Sequence, residues 1–219
     1  MANQTIFTTQ TPSNPDATDG TAYELGMKFQ SSAAGQITAI RYWKSPSETG
    51  SHIGKVWAGT GGANPLVTVT FANETASGWQ EQALTTPLNI QANTTYVVSV
   101  NTNNHFAMTT DALATAVTSG NLSSVADNNN GVFGNAGSFP NNSYRNSNYF
   151  RDVGFVVTTI PTISKTGGDN QTGTAGAALA NPLVVKIENG GNPQAGVTVN
   201  FTVMAGGGSV SPCLLYTSD

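Results

Sequence analysis

Charge is what this chain has least of. Asp, Glu, Lys and Arg make up 9% of its 219 residues, against about 25% in an ordinary soluble protein. Twelve acidic and eight basic side chains leave a formal net charge of −4. The basic footprint that a phosphate backbone demands is absent, so nucleic acid is not an expected partner. No apolar run approaches the roughly 18 residues of a spanning helix, and membrane insertion is not expected. The stretch Met1 to Thr9 has no basic segment followed by an apolar one, so no secretory signal is visible. Cysteine occurs once, at Cys213, which excludes an intrachain disulfide. The segment Cys213-Leu-Leu-Tyr-Thr-Ser-Asp219 reads like a translated sequencing adaptor. Residues 213–219 are therefore expected to be an artefactual tail on a fragment of a longer protein.

Helical periodicity is scarce as well. One candidate runs from Asp111, as an N-cap, through Val117 to a stop at Gly120, two turns at most. What the chain has is Asn, Ser and Thr, roughly a third of all residues, with 24 Gly and 10 Pro, a turn-rich composition. Alternation of period two recurs between the turn clusters. Tyr23, Leu25, Met27 and Phe29 share one face of a predicted strand, with Glu24 and Lys28 on the other. Residues 36–44, 66–71, 95–100 and 149–155 follow the same rule. Residues 36–44 carry bulk on both faces, so that strand is expected to be covered on both sides. Short strands punctuated every 8–12 residues predict an all-β fold: an antiparallel β-sandwich, jelly-roll-like, over residues 5–157. The stretch Ser119–Ser147 is too long for an ordinary connection and is expected to be either a folded or a mobile surface loop.

After Val157 the composition shifts. Residues 158–162 read as a linker, with Pro161 unable to donate to a ladder. Alternation resumes at 183–188 and 197–203, which predicts a second β unit over 163–212.

Two resemblances follow from ordered pieces of sequence. Tyr23-Glu-Leu-Gly-Met-Lys-Phe29, Gly35-Gln-Ile-Thr-Ala-Ile-Arg-Tyr-Trp-Lys44, Lys55-Val-Trp57, Phe71-Ala-Asn-Glu-Thr-Ala-Ser-Gly-Trp-Gln80 and Ser143-Tyr-Arg-Asn-Ser-Asn-Tyr-Phe-Arg-Asp-Val-Gly-Phe155 resemble a bacterial domain-of-unknown-function family of the 4082 type. That resemblance implies a β-sandwich module of secreted or cell-surface multidomain proteins, set beside immunoglobulin-like repeats and glycan-active domains. It implies no activity of its own. Gly168-Asp-Asn-Gln-Thr-Gly-Thr174 and Gly191-Asn-Pro-Gln-Ala-Gly-Val-Thr-Val199 resemble the invasin/intimin-type bacterial immunoglobulin-like domain. That resemblance implies a partial immunoglobulin-like sandwich acting as a spacer.

Aromatics are the first candidates for a site. An exposed indole or phenol ring can stack on a sugar while its rim bonds hydroxyls. Trp43 and Trp57 read as core, whereas Trp79 follows a turn and is expected to be accessible. Tyr144, Tyr149 and Phe139, beside the long Asn-rich stretch, complete the expected ligand-binding set. Two readings are open for Glu24 and Asp152: oxygen ligands of a structural calcium between terminal strands, or ion pairs and solvated charges, with Lys28 or Arg151 as partners of Glu24. No calcium loop, nucleophile elbow or zinc-helix motif is present. His52 and His105 are too few for zinc, and His52 is expected to hydrogen-bond within a turn. Glu74 and Glu81 are read as solubility charges rather than a glycosidase pair. The expected function is a non-catalytic accessory module that binds a polysaccharide or cell-surface glycan, linked to neighbouring domains and needing no cofactor. A ligand-free spacer is the rival.

Overall fold

The computed structural model describes residues 3–158, 161–189, 192–194 and 196–210. They divide into two compact units that separate after Thr158. No helix long and apolar enough to cross a membrane occurs among them.

The first unit is an antiparallel β-sandwich. Its strands are β1 (Asn14–Thr18), β2 (Tyr23–Ser31), β3 (Gly35–Lys44), β4 (Ile53–Ala58), β5 (Val67–Thr70), β6 (Gly78–Ile90), β7 (Tyr96–Thr102), β8 (His105–Met108), β9 (Thr118–Ser119), β10 (Leu122–Ser124), β11 (Val132–Asn135), β12 (Asn142–Ser143) and β13 (Arg151–Val157). The larger sheet runs β12-β11-β2-β7-β4-β5, with β10 also paired to β2 and β9 to β10. The smaller sheet runs β13-β3-β6, and β1 pairs with β8 in a short ribbon. Every pairing is antiparallel.

Alternation decides which side chains meet between the sheets. Met27 and Phe29 of β2, Val98 and Val100 of β7 and Val56 of β4 line the inner face of the larger sheet. Ile37, Ile40 and Tyr42 of β3, Leu84 and Ile90 of β6, and Val153 and Phe155 of β13 oppose them. A bulge between Ile37 and Ala39 resets the register, so both Ile37 and Ile40 turn inward. β6 is the outer strand of its sheet, which is where Pro87, with no N–H to give a ladder, is tolerated.

Two expectations change. The Asp111–Val117 segment forms turns, not a helix. Asp111 takes a left-handed backbone (φ 61°) that no helix entry allows. Its amide bonds the Arg145 carbonyl, and Leu113 is buried in the core. The Asn-rich stretch 119–147 is not a plain loop either, because β10 and β11 both dock on β2 and become part of the larger sheet.

The second unit holds a three-stranded antiparallel sheet of β14 (Thr162–Gly167), β15 (Val184–Asn189) and β16 (Asn192–Pro193). Ile163 stands opposite Ile187, and Lys165 opposite Val185. The Gln171 amide braces the connection, donating to the carbonyls of Gly168 and Asn181 and accepting from the Asn181 amide. Residues 197–201 alternate in burial, Val203 is exposed, and the segment forms no ladder. The expected adaptor-like tail, 213–219, lies outside the described residues.

Phe155 is fully buried and faces the centre of the sandwich. Phe155→Ala is expected to lower unfolding stability by about 3–5 kcal/mol, read as a fall in the urea midpoint at unchanged m-value.

Candidate functional site

Both sheets carry polar rows on their outward faces, and these rows are covered. Across the smaller sheet the register sets Asp152, Arg41 and Glu81 side by side, with Trp43 directly opposite Trp79. The N-terminal segment closes over this row. The amides of Ile6 and Phe7 donate to the Asp152 carboxylate at 3.0 and 3.1 Å, the Val153 amide does so at 2.8 Å, and Arg41 Nη1 lies 3.0 Å away. Burial pushes the Asp152 carboxyl up, opposed by these donors. Across the larger sheet, Glu24 accepts from Ser99 Oγ at 2.6 Å, from Lys55 Nζ at 2.8 Å and from the Gly137 amide at 2.9 Å. Trp57 Nε1 donates to the same Ser99 hydroxyl, and Phe139 packs edge-on against the Trp57 ring.

These contacts decide the calcium reading. Glu24 and Asp152 lie in different sheets, share no partner, and direct both oxygens of each carboxylate at N–H or O–H donors. A cation with six to eight oxygen ligands has nothing to take from them, and the residues do not fit it. No group of three or more metal-ligating side chains occurs among the described residues. Neither carboxylate is solvated, and the partner of Glu24 is Lys55 rather than Lys28 or Arg151. Sequence alternation placed both carboxylates on outward faces but carried no sign that other segments cover those faces.

The expected aromatic rim is dispersed by packing. Tyr149 is 5% exposed, its ring against Phe106, and burial pushes its phenol up to about 12. Phe139 is half-buried on Trp57. Trp79 is half-buried among Phe7, Trp43 and Phe150, with the Arg41 guanidinium 4.6 Å from its ring centre. Tyr144 alone projects, at 52% exposed, on the turn where Arg145 pairs with Asp111.

A polar cluster missed in the sequence lies at one end of the sandwich. His52 is fully buried between two glutamates: Nδ1 is 2.9 Å from Glu74, and Nε2 is 3.1 Å from Glu48. Glu74 also accepts from Tyr42 and Lys44. Glu48 accepts three successive amides, those of Asn103, Asn104 and His105, and so ties the β3–β4 loop to the β7–β8 turn. Burial raises the Glu48 carboxyl, but the His52 contact and the three amides outweigh it and hold it down to about 2. Arg151 is fully buried beside Tyr42, and desolvation draws it down to about 10.

One accessible feature of this unit is an open groove of about 600 Å³. Its walls are the end of β4 and the turn after it (Ala58, Gly59, Thr60), Leu66, and the approach to and start of β7 (Thr94 to Tyr96). Lys28, Val125 and Asp127 complete it. A Cβ on Gly59 would overlap the Thr95 carbonyl oxygen, which accepts the Gly59 amide, so only glycine lets these two strand ends close the groove floor. Tyr96 is held by its hydroxyl, which accepts from the Gln91 amide. Leu66 is 49% exposed at the rim. The Val125–Asp127 wall is set by Asn130, which is fully buried. Its amide donates to the carbonyls of Lys28 and Val125, and its oxygen accepts from the amides of Lys28 and Gly131.

A family model described as a domain of unknown function (DUF4082) matches residues 9–151, about two thirds of the chain. The chain belongs to the DUF4082 family. The match covers the groove, the Glu48–His52–Glu74 cluster and the Glu24 row, and it ends just before Asp152. No curated protein and no solved structure matches the chain.

Two outcomes follow for this DUF4082 unit. The folded-state carboxyl of Glu48 lies below its unfolded value of 4.5. Its contribution is therefore present above pH 4.5 and is lost as the pH falls toward 2. E48Q is expected to lose about 2–3 kcal/mol at pH 7 and to show a shallower acid limb in pH-dependent thermal melts. N130A strips four hydrogen bonds from a buried position and is expected to lose about 1–3 kcal/mol, with faster amide exchange at Lys28 and Gly131.

Proposed function

We propose that this chain is a non-catalytic accessory module of a secreted or cell-surface multidomain protein, and that it binds carbohydrate weakly in the groove walled by Leu66, Tyr96 and the Thr94–Thr95 strand end. The groove is the observation that carries this reading. It pairs an exposed aliphatic wall with threonines and a partly exposed charge pair, the combination that suits a sugar with one C–H face and a hydroxylated rim. The contact aromatics of the sequence-based expectation give way to this groove, with Tyr144 the one ring left free to extend it. The absence of catalysis is supported by how the carboxylates are spent: Glu24, Glu48, Glu74 and Asp152 each hold partners inside the fold. The second unit fits the reading as an invasin-type immunoglobulin-like spacer joined to further domains.

A ligand-free spacer is the second reading, favoured by the packing of Trp57, Trp79 and Tyr149 into the fold.

A polysaccharide affinity gel, followed by calorimetric titration with soluble oligosaccharides, separates the two. Binding is expected in the micromolar to millimolar range, weak because few groups are desolvated. Leu66→Ala is expected to weaken it severalfold without changing the melting temperature. Uniform failure to bind, with the protein folded, leaves the spacer.

A further inference from the structure

The groove carries one charged pair. Lys28 and Asp127 are the two charged residues that line it, and they neutralise one another at 2.8 Å. One Asp127 oxygen accepts from Lys28 Nζ and the other from the Asn129 amide at 3.0 Å. The Asp127 side chain is nevertheless 39% exposed and that of Lys28 17%, so both stay partly accessible beside the groove they line. An ammonium has three donors, and one is spent on Asp127. The pair therefore presents an acceptor and donors side by side with no net charge. A hydroxyl, which both donates and accepts, satisfies such a pair. A carboxylate or phosphate meets Asp127 head-on, and a cation meets Lys28. Position is not left to chance: the buried Asn130 amide holds the backbone of Lys28 and of Val125, two residues before the aspartate.

Resting on the carbohydrate reading above, we infer that the groove selects neutral, hydroxyl-bearing glycans and excludes uronic and phosphorylated ones, with the Lys28–Asp127 pair as the discriminating element. Removing the Asp127 charge then inverts the preference rather than abolishing binding, because the Lys28 ammonium is released to meet an anionic sugar.

The test is titration of the full chain, as wild type, D127N and K28Q/D127N, with cellohexaose, mannohexaose and hexagalacturonate, followed by calorimetry and by amide chemical shifts. The pair is only partly exposed, so melting curves first check that all three proteins fold. The wild type is expected to take a neutral hexasaccharide at least about tenfold more tightly than hexagalacturonate, the discrimination of a single unfavourable charge contact. D127N is expected to gain at least about tenfold for hexagalacturonate, and K28Q/D127N to lose that gain. Shifts are expected at Thr60, Thr95, Tyr96 and Asp127. A wild type that prefers hexagalacturonate, or a D127N protein with an unchanged ratio, overturns the inference. If the wild type binds none of the three probes, the carbohydrate reading falls, while a Lys28-dependent gain of hexagalacturonate by D127N still upholds the charge mechanism. If no variant binds anything, both fall.

Discussion

A carboxylate taken out of water must recover its hydration from N–H donors or from a cation, or it destabilises the fold by several kcal/mol. In a chain with so few charges, this requirement organises the first unit. Glu24, Glu48 and Asp152 are each buried, and each reaches across the chain for donors: Glu24 to Lys55 and Gly137, Glu48 to residues 103–105, Asp152 to Ile6, Phe7 and Arg41. Each carboxylate thereby ties down a segment distant in sequence. The N-terminal segment, the β7–β8 turn and the β11–β12 loop are positioned by hydrogen bonds to carboxylates, with Phe7 and Phe139 supplying the apolar contact beside them.

The same economy shapes what the molecule can offer a partner. Rings that would make a stacking platform, Trp57 and Trp79 among them, are consumed in covering the polar rows of the sheets. What stays accessible is a groove between strand ends, held by neutral amide bonding from Asn130 rather than by charge. Its only ionic element is a self-paired lysine and aspartate. On the carbohydrate reading proposed above, such a groove would meet hydroxyls by position and with modest affinity.

Much of the sandwich could be read from alternation. The strand predicted at 22–30 appears as β2, where apolar residues recur at every second position; that at 36–44 appears as β3, though its bulge turns Ile40 and Tyr42 inward with Ile37. Reading the 36–44 strand as covered on both sides also agrees with the structure: Tyr42 faces the core, and Trp43 packs on Trp79 and Phe150, which Phe7 of the N-terminal segment contacts in turn. The site was far less legible. Nothing local to Asn130 distinguishes it from the other asparagines of its run, and its importance comes from Lys28, about a hundred residues away. His52 looked like a turn residue because the two glutamates around it come from different loops. Lys55 and Ser99 gave no signal, since they meet Glu24 only through the order β2-β7-β4.

Period-two burial therefore determined, from residues alone, that this chain is an antiparallel sandwich, because the pattern of apolar side chains is a local property of each strand. Composition likewise fixed a low charge content, with twelve acidic side chains against eight basic ones. Which polar residues are buried, which rings remain accessible and where a groove opens were decided only by tertiary structure. Those outcomes depend on which distant segments cover which sheet face, and covering is set by strand order and long-range hydrogen bonds that no single stretch of sequence encodes.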